Sequence, residues 1–203
     1  MRSLSKWAWL KALVFAACLL PLGTLVYEWR HDDLGANPIE RITHETGEWT
    51  LRFLLITLSI TPLRRMLKQP NLIRFRRMLG LFAFFYGCLH LTTWVWLDKF
   101  FDLHEMWADV VKRRFITAGM VGFALMVPLA VTSTKGWIRR MGGRNWQRLH
   151  RAIYFSAMAG VVHYFWLVKS DLRNPELYAG LTALLLGWRV VSSLRARFAP
   201  ARA

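Results

Sequence analysis

Apolar and charged positions along this chain alternate in blocks of about twenty residues, a period far longer than that of a surface helix or a half-buried strand. Six predominantly apolar stretches stand out: Trp7–Tyr27, Gly47–Leu63, Met78–Leu97, Phe115–Thr132, Leu149–Val168 and Leu177–Leu194. A helix rises 1.5 Å per residue, so about 20 residues cross the roughly 30 Å of bilayer hydrocarbon. The pattern predicts an all-α membrane protein, a bundle of six transmembrane helices. The third and fifth stretches match that length best, and Arg52 interrupts the second. The sixth carries Arg189 near its end, where the side chain is expected to snorkel toward lipid head groups.

The segments between the stretches alternate in charge. Glu28–Glu48 holds six acids (Glu28, Asp32, Asp33, Glu40, Glu45, Glu48) against Arg30 and Arg41. Arg64–Arg77 holds six bases (Arg64, Arg65, Lys68, Arg74, Arg76, Arg77) and no acid. Asp98–Arg114 is balanced, Lys135–Arg148 is basic without an acid, Lys169–Glu176 is balanced and the tail is basic. Basic loops stay on the cytoplasmic side of a membrane. Both termini and the two basic loops are therefore expected in the cytoplasm. Arg2 and Lys6 ahead of an apolar core resemble a signal peptide, but PLGTLVYEW follows in place of a small-residue cleavage site. The first stretch is accordingly read as a retained span with an interfacial aromatic exit.

Composition sharpens this picture. The net charge is +16, with 55% hydrophobic residues and 11 tryptophans. A basic chain suits nucleic acid or a membrane with basic inner loops, and the long apolar runs exclude the nucleic-acid reading. Cys18 and Cys88 lie far apart inside apolar runs, which argues for small packing residues and against a zinc or iron–sulfur site. There is no nucleotide-binding glycine motif. The reading is one domain over residues 1–203, in contact with membrane lipid.

Three of the six histidines carry the candidate chemistry. His31, His44 and His104 fall in or beside outer segments and read as solvated. His90 lies twelve residues after Met78 and His163 fourteen after Leu149. On spans running in the same direction, both sit about 18–21 Å from the cytoplasmic edge. His150 stands at the cytoplasmic end of the fifth span, at the depth of Arg77 in the third. Histidines in membranes also serve as hydrogen-bonding links between helices, as proton or metal-ion sites in transporters, or as packed residues in an anchor. Two neutral imidazoles at matching depth suit the two axial positions of a haem iron. Thirteen residues turn a straight helix through about 220°, so His150 and His163 do not share a face of a straight helix, and helix tilt, a local distortion or haems offset around the bundle must absorb the difference.

LAVTS (Leu129–Ser133), WQRLHRAIY (Trp146–Tyr154) and a second histidine thirteen residues after His150 resemble the ferric reductase-like transmembrane superfamily. TLRFLLITLSITPLRR (Thr50–Arg65), RRMLGLFAFFY (Arg76–Tyr86) and the His90 segment extend the match across the chain, toward the haem-binding membrane subunits of bacterial periplasmic methionine sulfoxide reductase systems. The resemblance implies an inner-membrane cytochrome with one or two b-type haems. Its electron donor would be the quinone pool, as quinol, and its partner a periplasmic molybdopterin reductase subunit that repairs oxidised protein methionines. FMN is a further cofactor it implies. His90 and His163 would ligate an outer haem and His150 an inner one. Arg77 stands where larger superfamily members have a fourth histidine, so an inner haem would be five-coordinate, use Met78, or be absent. Arg52 would pair with a haem propionate or with Glu48. The alternative is a stand-alone transmembrane haem reductase, ferric or flavin-linked, fed by a cytoplasmic reductase.

Overall fold

A computed structural model of the chain describes residues 2–198. Among the described residues all regular structure is helical: α1 (Arg2–Arg30), α2 (Pro38–Met66), α3 (Ile73–Thr92), α4 (Leu103–Lys112), α5 (Arg114–Val131), α6 (Lys135–Met141), α7 (Gly143–Leu149), α8 (Ala152–Leu167) and α9 (Arg173–Phe198). A 3₁₀ turn, Pro70–Leu72, leads into α3, and a π-helical segment, Thr93–Asp98, continues it. Four helical stretches are long and apolar enough to cross a membrane: Lys6–Arg30, Pro70–Asp98, Arg114–Val131 and Arg173–Arg195. The two remaining predicted spans form helices of another kind. α2 carries Glu48 and Arg52 within its apolar stretch, and α8 has 16 residues.

α2 is the centre of the bundle because it buries two faces. Phe53, Leu54 and Ile60 pack with Phe75, Leu79, Phe82 and Tyr86 of α3, Cys18 of α1 and Met126 of α5. Leu51, Leu55 and Leu58, spaced at helical intervals, pack with Ala157 of α8 and Tyr178 of α9. α3 lies along α2, and α5 along α8. The outer helices turn apolar side chains outward: Leu13 and Leu20 of α1, Leu184 and Val190 of α9.

Two prolines inside helices are each answered by a side chain from another helix. Pro21 sits in α1, and one turn around it the Leu22 N–H and the Cys18 carbonyl are bridged by the Tyr86 hydroxyl, which accepts from the first (3.1 Å) and donates to the second (2.9 Å). Pro62 of α2 has no N–H to give the Leu58 carbonyl, its usual i−4 partner. Arg189 of α9 donates to that carbonyl instead, at 2.7 Å, and to the Tyr154 hydroxyl at 2.9 Å. Arg189 thus turns into the bundle, contrary to the expected snorkelling, because a helix carbonyl without its partner is the stronger attraction for a guanidinium.

The segments between the spans are more ordered than loops. The balanced Asp98–Arg114 segment is mostly the amphipathic helix α4, and the basic 135–148 segment forms α6 and α7. The helix around His150 is broken: α7 ends at Leu149 and α8 starts at Ala152. The break does not bring His150 and His163 onto one face, because only His163 lines the cavity described below.

Candidate functional site

His90 lies near the end of α3 and His163 near the end of α8. Their ring centroids are 6.0 Å apart, with the planes at 79°. Both line a cavity of about 260 Å³ between α2, α3, α5 and α8. Its inner end is apolar, with Leu54, Phe123 and Met126, and Glu48, Asp98 and Arg113 also line it.

Each imidazole is held in the same way. His90 Nδ1 lies 2.9 Å from the Thr43 carbonyl oxygen, and His163 Nδ1 lies 2.6 Å from that of Phe115. A carbonyl only accepts, so each Nδ1 carries the hydrogen and each Nε2 is left as the basic nitrogen. In both cases the residue four positions after the carbonyl is glycine: Gly47 after Thr43, Gly119 after Phe115. Helical side chains lean toward the N-terminus and cover the turn before them, so a glycine there uncovers the carbonyl. A Cβ on Gly47 would lie 2.9 Å from His90 Cε1, and one on Gly119 would lie 2.8 Å from His163 Nδ1.

The other predicted site residues fall elsewhere. His150 does not line the cavity. Its Nε2 is 3.0 Å from the Thr132 hydroxyl, which donates onward to the Pro128 carbonyl at 2.6 Å, so Nε2 is the donor to Thr132. The His150 ring stacks on Trp146 at 3.9 Å, and the Trp146 indole donates to the Thr132 carbonyl at 2.8 Å. The two motifs LAVTS and WQRLHRAIY therefore interlock as a clasp between the end of α5 and α7. Arg77 is exposed and lies outside the cavity lining.

Arg52 pairs with Glu48, one of the two partners expected for it, and its Nε donates to the Tyr178 hydroxyl at 2.8 Å. Tyr164 donates to the other Glu48 oxygen at 3.0 Å, and the guanidinium lies 4.7 Å from the Trp49 ring centre. The network ties α2 to α8 and α9 beside the cavity, and Glu48 and Tyr164 line it. The sequence reading missed Tyr164 and Tyr178; their phenols, one helical face from His163 and one span away, had no local signal. It also placed His44 among solvated residues; His44 is exposed but borders the cavity.

Comparisons with known proteins bear on the same region. The family described as "Ferric reductase like transmembrane component" matches residues 46–161, a stretch with Gly47, His90 and Gly119 inside it and His163 just beyond. Proteins named protein-methionine-sulfoxide reductase heme-binding subunit MsrQ match most of the chain. That of Herminiimonas arsenicoxydans is 54% identical over 183 residues, covering 89% of this chain and 84% of its own. That of Caulobacter vibrioides is 52% identical over 178 residues, covering 88% and 85%. That of Rhodospirillum rubrum is 52% identical over 184 residues, covering 91% and 88%. With half of all positions identical along nearly the full length of each, the chain belongs to the MsrQ family of ferric reductase-like transmembrane proteins.

Proposed function

We propose that this protein is a haem b electron-transfer subunit in the bacterial inner membrane, in which His90 and His163 would hold one haem in the cavity. The observation that carries the reading is the paired imidazoles, each pinned through Nδ1 to a backbone carbonyl so that Nε2 is free to bind iron. The two rings face one cavity with their centroids 6.0 Å apart, so both would be within reach of a single bound iron. The apolar inner wall suits a macrocycle. When bound, the haem supplies a one-electron couple. The chain's own residues fix the imidazole tautomers, keep water from the inner wall and hold Glu48 neutralised by Arg52.

His150 enters a second site only by giving up Thr132, and Arg77 carries a permanent charge that makes it a poor iron ligand. The proposal is therefore a single haem. The names of the relatives supply the partner, a methionine sulfoxide reductase catalytic subunit, and the sequence resemblance supports a periplasmic molybdopterin enzyme in that role and quinol as donor. Electrons would pass from quinol through this chain to the periplasmic subunit, in support of methionine repair. Six crossings with cytoplasmic termini are part of the proposal and rest on the charge alternation.

The test is the spectrum of protein purified with its haem. A low-spin ferric signal is expected, lost in both His90→Ala and His163→Ala and kept in His150→Ala. A normal low-spin signal in either of the first two variants excludes the assignment.

A further inference from the structure

We propose that α4 is an interfacial helix, lying in the plane of one membrane surface with Leu103, Trp107 and Val111 set into the boundary between lipid head groups and acyl chains. The observation is a division of the helix into three flanks. At 3.6 residues per turn, Leu103, Trp107 and Val111 fall within about 80° of arc. Their exposures are 76%, 71% and 65%, far above what a soluble surface leaves open for three large apolar side chains in a row. A second flank faces the protein. Asp109 is buried and takes the Lys99 ammonium at 2.8 Å and the Arg113 guanidinium at 3.1 Å, with Met106 and Val110 half-buried beside it. On the third flank His104 and Lys112 are exposed and polar, with the half-buried Ala108 between them. Protein on one side, an apolar face and a polar face are the three surroundings of a helix at a membrane surface beside its own bundle.

The chain on either side says what covers the apolar face. The membrane-length stretch Pro70–Asp98 ends just before α4, and Arg114–Val131 begins just after it. Arg113 alone separates α4 from α5, so the helix end cannot leave the surface by more than about one residue length, roughly 3.8 Å. The other connector is folded back. Lys99 N–H donates to Trp94 O (3.0 Å), Phe101 N–H to Val95 O (2.9 Å) and Asp102 N–H to Lys99 O (2.8 Å). The Lys99 side chain also reaches Glu105 at 2.7 Å. α4 is held against the ends of two spans, at the level where a bilayer meets water. Phe100 and Phe101, both in left-handed backbone (φ 47° and 63°), and Trp96 are exposed at the same level, as an aromatic interfacial belt requires. The inference needs only the membrane reading and stands apart from the haem assignment.

The experiment uses the full chain in lipid nanodiscs, with Cys18 and Cys88 replaced by alanine. Single cysteines at Leu103, Trp107 and Val111, and at the exposed His104 and Lys112 as controls, are labelled with a small fluorophore. Quenching by lipids brominated near the head group is compared with quenching by aqueous iodide. Labels at 103, 107 and 111 are expected to be quenched several-fold more by the brominated lipid than those at 104 and 112, with iodide giving the reverse order. Three independent sites keep the test open if one variant fails to fold. Iodide access to 107 and 111 equal to that of the controls overturns the proposal. If those labels become shielded only when the catalytic reductase subunit is added, the face is a protein dock and the proposal is equally overturned.

Discussion

At the scale of single residues, the site depends on two absent methyl groups. Gly119 lets the His163 ring reach the Phe115 carbonyl, and Gly47 does the same for His90 and Thr43. A Cβ at Gly119 meets a ring that cannot slide away without losing its 2.6 Å hydrogen bond. Gly119→Ala is therefore expected to keep the helical fold and lower haem affinity by about 10- to 100-fold, the usual effect of losing a partner that orients a metal ligand. Haem titration of the apoprotein, with circular dichroism as control, checks this; unchanged affinity would remove the glycine from the site. That His90 and His163 come together was legible in the sequence because ionisable residues are rare in apolar spans. Their carbonyl partners were not, since every residue has a carbonyl. Gly47, at the edge of a span interrupted by charge, gave no signal of its own. The W-x-x-L-H-R motif drew attention to His150, and only the fold shows its Nε2 already engaged by Thr132.

At the scale of elements, helices here are completed by one another. Pro62 leaves the Leu58 carbonyl of α2 without its own helix donor, and Arg189 of α9 supplies one. The two residues should therefore be energetically coupled. Arg189→Met strands a buried carbonyl, a loss of about 1–3 kcal/mol. In an Arg189→Met, Pro62→Ala double variant the new backbone N–H at position 62 restores the ladder, so the double change should be less destabilising than the sum of the singles by about 0.5–3 kcal/mol. Unfolding midpoints in detergent for the four proteins of the cycle measure this, and additivity within error would show the carbonyl is satisfied in another way. No local pattern joins residue 189 to residue 58, so the snorkelling expectation was the best available from the sequence. α4 is a different case. Leu103, Trp107 and Val111 recur at helical spacing, but counting charges over Asp98–Arg114 treated the segment as a loop and lost the periodicity. Its buried Lys99 is held protonated, its pKa raised above the ordinary lysine value by the hydrogen bond it donates to Asp109 first and to Glu105 next.

At the scale of the whole molecule, charge sorts the two ends of the bundle. Glu28, Arg41 and Glu45 form one ion network where α1 meets α2, with Arg41 at 3.3 Å from Glu28 and 2.9 Å from Glu45. Asp98, Lys99, Glu105 and Asp109 form another beside α4. The far ends of α2 and α9 meet through Arg65, 5.2 Å from the Trp188 ring centre, in a region that otherwise carries bases. Among the described residues four helices are long and apolar enough to cross by themselves, and α2 and α8 are not among them. The charges of α2 are internally paired, and α8, about 24 Å long at 1.5 Å per residue, is preceded by the clasp that seats its start against α5. If both cross, the number of crossings is even and the two termini share a side; if only one does, they lie on opposite sides. Reporters distinguish these cases. Alkaline phosphatase, active only in the periplasm, is expected to be silent when fused after Ala203 and active when inserted after Asp33, in the acidic segment between α1 and α2. The C-terminal residues of that fusion lie outside the described residues, so the reading comes from the basic tail and the parity of crossings alone. An active C-terminal fusion together with an active insertion after Asp33 would mean an odd number of crossings. It would identify α2 or α8 as a helix that enters the membrane without spanning it.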